Sequence, residues 1–347
     1  MDNERSIRVI LIGAGNLGRR FAHIITDKHD ELKKRYALDI RLVGVADSRG
    51  AAFDEDGLDG NAIASIKLAG SSVGALPEVG RPGMTGLQLI DAVSADILCE
   101  AGPVNLDAGA EPALSHIRRA LEQGMHVSTP NKGPIVLAYR ELMALAHSHG
   151  VQLRFDGTVA GGLPAIALAA RDLRGATITR IESVPNLTTG FVLDQLVAGV
   201  TWDEAIDQAR EAGALEGDGA WDLDGWDAAA KIAILALSVL DQDVDLHDVP
   251  REGIRAIDPA WLKAASSKGR VRLLASAIRQ SDGSYQYNVA PVALPPDHAL
   301  GNLTSQQMGI TIETDLFGTI TSIITEETPL PSASSMLRDL LDIFSRG

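Results

Sequence analysis

The sequence predicts an α/β protein: a doubly wound, mainly parallel sheet followed by an α+β domain whose sheet is largely antiparallel. Three observations carry that expectation. An apolar run, Ile7–Ile12, enters the turn Gly13-Ala14-Gly15-Asn16-Leu17-Gly18 and leaves it as an amphipathic helix. Strand and helix patterns then alternate as far as Asp156, as βαβ units do. From Thr177 onward the alternation stops, and two hairpin signals with glycine in their loops replace it. The expected division is residues 1–156, completed by a C-terminal helix within 326–347, and residues 157–325 as a second domain.

The first strand and helix frame a Rossmann-type turn. Leu17, Phe21, Ile24 and Ile25 fall on one helical face. Gly13 permits the sharp turn, Gly15 lets a ligand touch backbone, and Gly18 lets helix and strand pack closely. The helix start, with Asn16 and Leu17, offers N–H groups and the positive dipole end to a pyrophosphate. The second strand, Arg41–Ala46, closes at Asp47, where an acid suits a ribose diol. Asp47 lies 29 residues beyond Gly18, against a usual interval of about 20, so extra helix is expected across Glu31–Tyr36. Arg49 suits a cofactor 2′-phosphate, and the presence of both residues leaves NAD and NADP open.

Composition narrows the function. A chain of 347 residues can bury two cores. A net charge of −15 argues against a nucleic-acid groove. No apolar run reaches the roughly 18 residues of a membrane span. The charged start, Met1-Asp2-Asn3-Glu4-Arg5, runs straight into the first strand without a secretory signal, and the lone Cys99 has no internal partner. A cytoplasmic protein is expected.

Residues 50–90, rich in Gly, Ala and Ser, read as a solvated loop; Asp54–Asp59 lacks the spacing and closing Glu of a calcium loop. Ala95–Cys99 is the third strand, Pro112 and Gly124 bound a helix, and Met125–Ser128 is a further strand. The loop Thr129–Pro134 then sits at the carboxyl edge of the sheet, so Lys132 should face the nucleotide. A helix over Leu137–His149 and a strand over Val151–Asp156 follow. Gly157–Gly162 is a second glycine-rich loop, either a hinge between domains or a set of carbonyls for a cation.

In the second domain Thr177–Val184 alternates like a half-exposed strand, and Thr201-Trp202-Asp203-Glu204 is a capping box for a helix ending near Gly213. The densest polar cluster follows: Glu216, Asp218, Asp222, Asp224, Asp227 and Lys231. Trp226–Leu240 reads as a buried helix on which Asp227 and Lys231, four apart, share one face and point into a pocket. Val271–Arg279 with Tyr285–Leu294, and Met308–Thr314 with Thr319–Thr325, form the hairpins. Ser332–Phe344 is the final helix.

These motifs resemble homoserine dehydrogenase in its short form, without a regulatory or kinase extension. The resemblance runs from Ile7 to Leu341 and is carried best by Val127–Pro134, Gly157–Pro164 and Glu216–Lys231 with its Asp-Leu-Asp-Gly-Trp-Asp-Ala-Ala-Ala-Lys run. It implies a reversible NAD- or NADP-dependent oxidation of L-homoserine to L-aspartate 4-semialdehyde, in threonine and methionine biosynthesis. Lys132 and Lys231 would be the catalytic lysines, and Glu216, Asp222, Asp227 and Thr188 would line the substrate site. A monovalent cation, Na+ or K+, would sit on backbone carbonyls such as those of Val159 and Gly161. The second domain would carry substrate binding and dimerisation, giving a homodimer with no nucleic-acid or membrane partner. A lysine suits this chemistry when burial or a second ammonium eases loss of its proton, because the alcohol must shed a proton as its hydride leaves. Lys132 equally suits the substrate α-carboxylate.

The chain departs from the family pattern near the expected substrate. Asn186-Leu187-Thr188-Thr189-Gly190 replaces an Asn-Gly-Thr-Thr-Asn run, Val104 replaces a threonine, and Thr328-Pro329-Leu330-Pro331 replaces a glycine-rich turn. The alternatives are a nicotinamide dehydrogenase for another small amino alcohol or amino aldehyde, and a non-catalytic nucleotide-binding homologue.

Overall fold

The computed structural model describes residues 4–345 except 213, 216 and 217. Its contacts divide the chain into two units: residues 1–162 with 328–347, and residues 163–327. The break falls six residues later than the expected one, because the loop after Asp156 packs with the final helix of the first unit.

The first unit runs β1 (Arg5–Ile12), α1 (Asn16–Asp27), α2 (His29–Tyr36), β2 (Leu38–Asp47), β3 (Gly50–Phe53), α3 (Gly60–Leu68), β4 (Gly80–Pro82), α4 (Gly86–Ala92), β5 (Ile97–Glu100), α5 (Ala113–Glu122), β6 (His126–Ser128), α6 (Lys132–Ser148) and β7 (Leu153–Arg154). Seven strands lie in the order β4-β3-β2-β1-β5-β6-β7. The pairs from β2 through β7 are parallel, whereas β3 and β4 add an antiparallel edge. β1 is central because Ile7, Val9 and Leu11 bury one face and meet Phe21 and Ile25 of α1 in one cluster.

The second unit runs α7 (Ala165–Ala167), β8 (Ile178–Val184), α8 (Leu187–Val197), α9 (Trp202–Glu211), α10 (Ala220–Leu223), α11 (Trp226–Ser238), α12 (Pro259–Ser266), β9 (Arg270–Arg279), β10 (Tyr285–Leu294), β11 (Gln307–Thr314) and β12 (Gly318–Thr325). Its five strands, in the order β10-β9-β8-β11-β12, are all antiparallel. Asp227 to Leu237 of α11 are buried without interruption. Arg272, near the start of β9, reaches Asp194 of α8 with two bonds of 2.8 and 2.9 Å, tying helix to sheet. The chain then returns to the first unit through α13 (Leu330–Phe344), whose Met336, Leu340 and Phe344 complete the cluster under β1.

Residues 50–90 are not the expected solvated loop. They hold β3, β4, α3 and α4. Helix α3 is capped by Asp59, whose Oδ1 accepts from Asn61 N at 2.8 Å, and it lies so close to α1 that a Cβ on Gly60 would overlap Ala22 O. Helix α4 opens on a Thr85–Gln88 capping box. Helix α6 begins at Lys132 rather than near Leu137, because Asn131 caps it and Pro134 fits a first turn. Helix α8 was unanticipated. Among the described residues no helix is long and apolar enough to cross a membrane.

Candidate active site

In the first unit, neighbours of β1 depart to either side, so the carboxyl ends of β1 and β5 mark the switch point at which open α/β sheets hold ligands. Gly13 sits there with φ +92°, a left-handed conformation, and a Cβ on it would overlap Ala101. A Cβ on Gly18 would overlap Gly13 O, so that glycine is steric too. Gly15 differs: no atom lies within 4 Å of where its Cβ would be. The first turn of α1 has no side-chain cap and no acid. Its N–H groups, from Asn16 and Leu17 onward, suit an anionic diphosphate. The residues fit a dinucleotide.

Asp47 is not an open acceptor. Its Oδ2 accepts from Lys67 Nζ at 2.6 Å and Val73 N at 3.0 Å, and its Oδ1 from Ser72 Oγ at 2.8 Å and Arg49 N at 2.9 Å. Burial pushes its carboxyl up, but these four donors outweigh it and hold it below the ordinary value. A ribose diol at Asp47 would share oxygens already bonded. The Arg49 guanidinium donates to Gly70 O at 2.9 Å and stays exposed.

Glu100 and Asn131 form a buried hub that sequence reasoning passed over. Glu100 Oε1 accepts from Gly102 N at 2.9 Å and its Oε2 from Asn131 Nδ2 at 3.2 Å. Asn131 also donates to Gly102 O and Pro103 O, and its Oδ1 accepts from Gly133 N at 3.1 Å. One amide thus binds the loop after β5 to the first turn of α6, where Lys132 sits half-buried. Burial raises the Glu100 carboxyl from 4.5 to about 7.

In the second unit Asn186 plays the matching part. It caps α8 through Thr189 N at 2.9 Å, and its Nδ2 donates to Asp222 Oδ1 at 2.6 Å and Asp227 Oδ2 at 2.7 Å. Asp227 Oδ2 also accepts from Lys231 Nζ at 2.7 Å, and a second Lys231 proton goes to Pro185 O at 2.6 Å. Lys231 is 9 % and Asp227 4 % exposed, so the expected pair is buried rather than solvated. Gly225, at φ +81°, makes the corner that brings Asp222 of α10 beside Asp227 of α11. Thr188 Oγ1 donates to Ala214 O at 2.6 Å, tethering the chain after α9. Glu216 and Gly213 lie outside the described residues. Asn186 opened the run compared with the family pattern, and its amide was the signal for this hub.

Val159 and Gly161 lie in a loop whose Asp156 carboxylate and Gly162 carbonyl are engaged by Arg338.

The first unit carries a glycine turn at the switch point of a parallel sheet, where nucleotides bind, and the second carries a lysine buried among acids. Together they define an NAD(P)-dependent oxidoreductase. Two family models agree: homoserine dehydrogenase, NAD binding domain, over residues 13–156, and homoserine dehydrogenase over residues 164–341. A homoserine dehydrogenase of Methanocaldococcus jannaschii is 36 % identical, with 97 % of this chain and 98 % of that protein covered. An NAD(+)-dependent homoserine dehydrogenase of Pseudomonas canavaninivorans is 34 % identical, covering 97 % and 96 %. The crystal structure of homoserine dehydrogenase from Thermoplasma acidophilum superposes with a TM-score of 0.83 at 27 % identity, covering 97 % and 98 %. The chain belongs to the homoserine dehydrogenase family.

Proposed function

We propose that the chain oxidises L-homoserine reversibly to L-aspartate 4-semialdehyde with NAD or NADP, and that Lys231 is the group beside the reacting oxygen. The cluster Asn186–Asp222–Asp227–Lys231 carries this reading. An ammonium has three protons, and two of Lys231's are committed, to a carboxylate and a carbonyl, which fixes its direction. As the hydroxymethyl carbon gives up a hydride, the alcohol proton needs an acceptor, and in the reverse direction the carbonyl oxygen needs a donor. A bound nicotinamide supplies the hydride acceptor. Two acids held on one amide concentrate the negative charge that suits the substrate α-ammonium. Glu216 joins them by resemblance, and Thr188 acts by holding residue 214. Lys132, at the start of α6, is assigned either to the α-carboxylate or to the proton.

Homoserine-dependent change in nicotinamide absorbance, against a panel of other amino alcohols, tests the reaction. Lys231→Ala is expected to keep cofactor affinity and to lose roughly 10²–10⁴ in turnover. A loss below about threefold, or turnover of another amino alcohol alone, defeats the assignment.

We further assign a homodimer built on the second unit's sheet. Strand β12 is an edge without a charged side chain, and Ile323 on it is 46 % exposed. Light scattering from the purified chain tests this. The single buried Cys99 suits a reducing cytoplasm.

A further inference from the structure

The loop 156–162 is moulded onto α13. A Cβ on Gly157 would overlap Ser335 Oγ, and one on Gly162 would stand 2.6 Å from Pro331 Cβ. Between them Ala160 and Gly161 take left-handed conformations, with φ +53° and +59°. The helix pressed against this backbone leaves no room for a side chain at either end. From that helix the Arg338 guanidinium enters the loop: Nη1 donates to Gly162 O at 2.8 Å, and Nη2 stands 2.5 Å from Asp156 Oδ2. The Asp156 side chain is only 7 % exposed. The next residue of α13, Asp339, accepts from Ser128 Oγ at 2.7 Å, so two successive side chains clamp this loop and the end of β6.

These contacts bear on the monovalent cation that the family resemblance would place at Val159 and Gly161. Backbone carbonyls carry no formal charge, so a carboxylate beside them supplies the full countercharge an ion there would meet. Asp156 is that carboxylate, and it already faces a permanent cation. The carbonyl next to Gly161 is bonded to the same cation. A free ion would find the anionic charge neutralised and a like charge alongside. The loop does not fit the ion.

We propose that Arg338 is the resident cation of this loop, a positioning residue whose guanidinium replaces a dissociable Na+ or K+, so that neither ion is needed for function or stability. The helix that completes the nucleotide-binding unit therefore carries its own counter-charge to the loop at the unit's end.

The test compares NaCl, KCl and choline chloride at equal ionic strength. For the natural chain, thermal midpoint and homoserine turnover are expected to be the same in all three. Arg338→Ala is expected to lose roughly 10- to 100-fold in turnover and to become cation-sensitive. Its midpoint and rate should rise with low guanidinium chloride and with NaCl or KCl, but not with choline chloride. Arg338→Lys should sit between the two and remain insensitive to the choice of salt. If Arg338→Ala does not fold, the natural chain and Arg338→Lys carry the test. A natural chain that needs Na+ or K+ overturns the proposal, and so does a folded Arg338→Ala that responds identically to all four salts. The midpoints read the cation question even if homoserine is not turned over, so failure of the substrate assignment stays separable from failure of this one.

Discussion

Two acids close the strands on either side of β1, and they behave oppositely. Asp47 ends β2 and Glu100 ends β5. Glu100 is fully buried and Asp47 less deeply so, and both accept several hydrogen bonds. Asp47 is nevertheless held below its ordinary carboxyl range, whereas Glu100 is raised from 4.5 to about 7. Two things differ, the depth of burial and one ammonium. Lys67 Nζ lies 2.6 Å from Asp47, while the donors to Glu100 are neutral: Gly102 N, Asn131 and Thr129. At Glu100 the neutral donors offset only part of the desolvation, whereas at Asp47 the Lys67 ammonium adds to three neutral donors and together they outweigh it. Asp339, whose hydrogen-bond donor is the neutral Ser128 hydroxyl, behaves like Glu100: burial raises its carboxyl from 3.8 to about 7.

The largest expected effect comes from the acids without a cation. The Glu100 carboxyl keeps its proton up to about pH 7 in the folded chain, but only to 4.5 when unfolded. Between those values the folded chain holds more protons, so stability falls as pH rises through the window. The preference for the protonated acid is fully present below 4.5, is lost above about 7, and is worth roughly 3 kcal/mol. Glu100→Gln should flatten that slope, measured as urea-unfolding free energy at pH values from 4.5 to about 7. A variant that keeps the full slope would move the titration elsewhere. Asp339→Asn should remove a second slope of the same sign, because burial raises that carboxyl too. If the two sites are independent, Glu100→Gln with Asp339→Asn loses both slopes additively.

The comparison also marks what was legible in the chain. The glycine turn was read correctly because its parts are local: an apolar strand, three glycines and a periodic helix within Ile7–Ile25. The antiparallel second sheet was equally open, since loops such as Ser281-Asp282-Gly283 announce hairpins. Helices α3 and α4 are hard to read from the chain because each is short, at nine and seven residues, and sits in a stretch rich in Gly, Ala and Ser. Their capping signals, Asp59 and Thr85–Gln88, were nonetheless present. Asp47 and Glu100 cannot be told apart by position, as each simply ends an apolar run. Their difference lies in depth of burial and in Lys67, twenty residues beyond Asp47 along the chain, and both are set only by folding. Arg338 was hidden for the same reason, being 176 residues from the Gly162 carbonyl it bonds.

The smallest effect is expected at Asp47, and it sharpens the contrast by sign. Its folded carboxyl value lies below 3.8, so its contribution is present above that value and is lost as pH falls through the folded one. Asp47→Asn keeps the shape, removes the charge opposite Lys67, and should cost about 1–2 kcal/mol at neutral pH, since a bond to a charged group is lost while Lys67 stays partly solvated. The gap between variant and natural chain should close on acidification, the reverse of the Glu100 titration. The same variant also bears on the cofactor. If the four donors hold Asp47 as a framework residue, NAD and NADP affinities should fall together as the segment 67–73 loosens. A selective loss of NAD would instead show Asp47 reaching the ribose diol despite its partners, and would place the discrimination at the end of β2 rather than in Arg49.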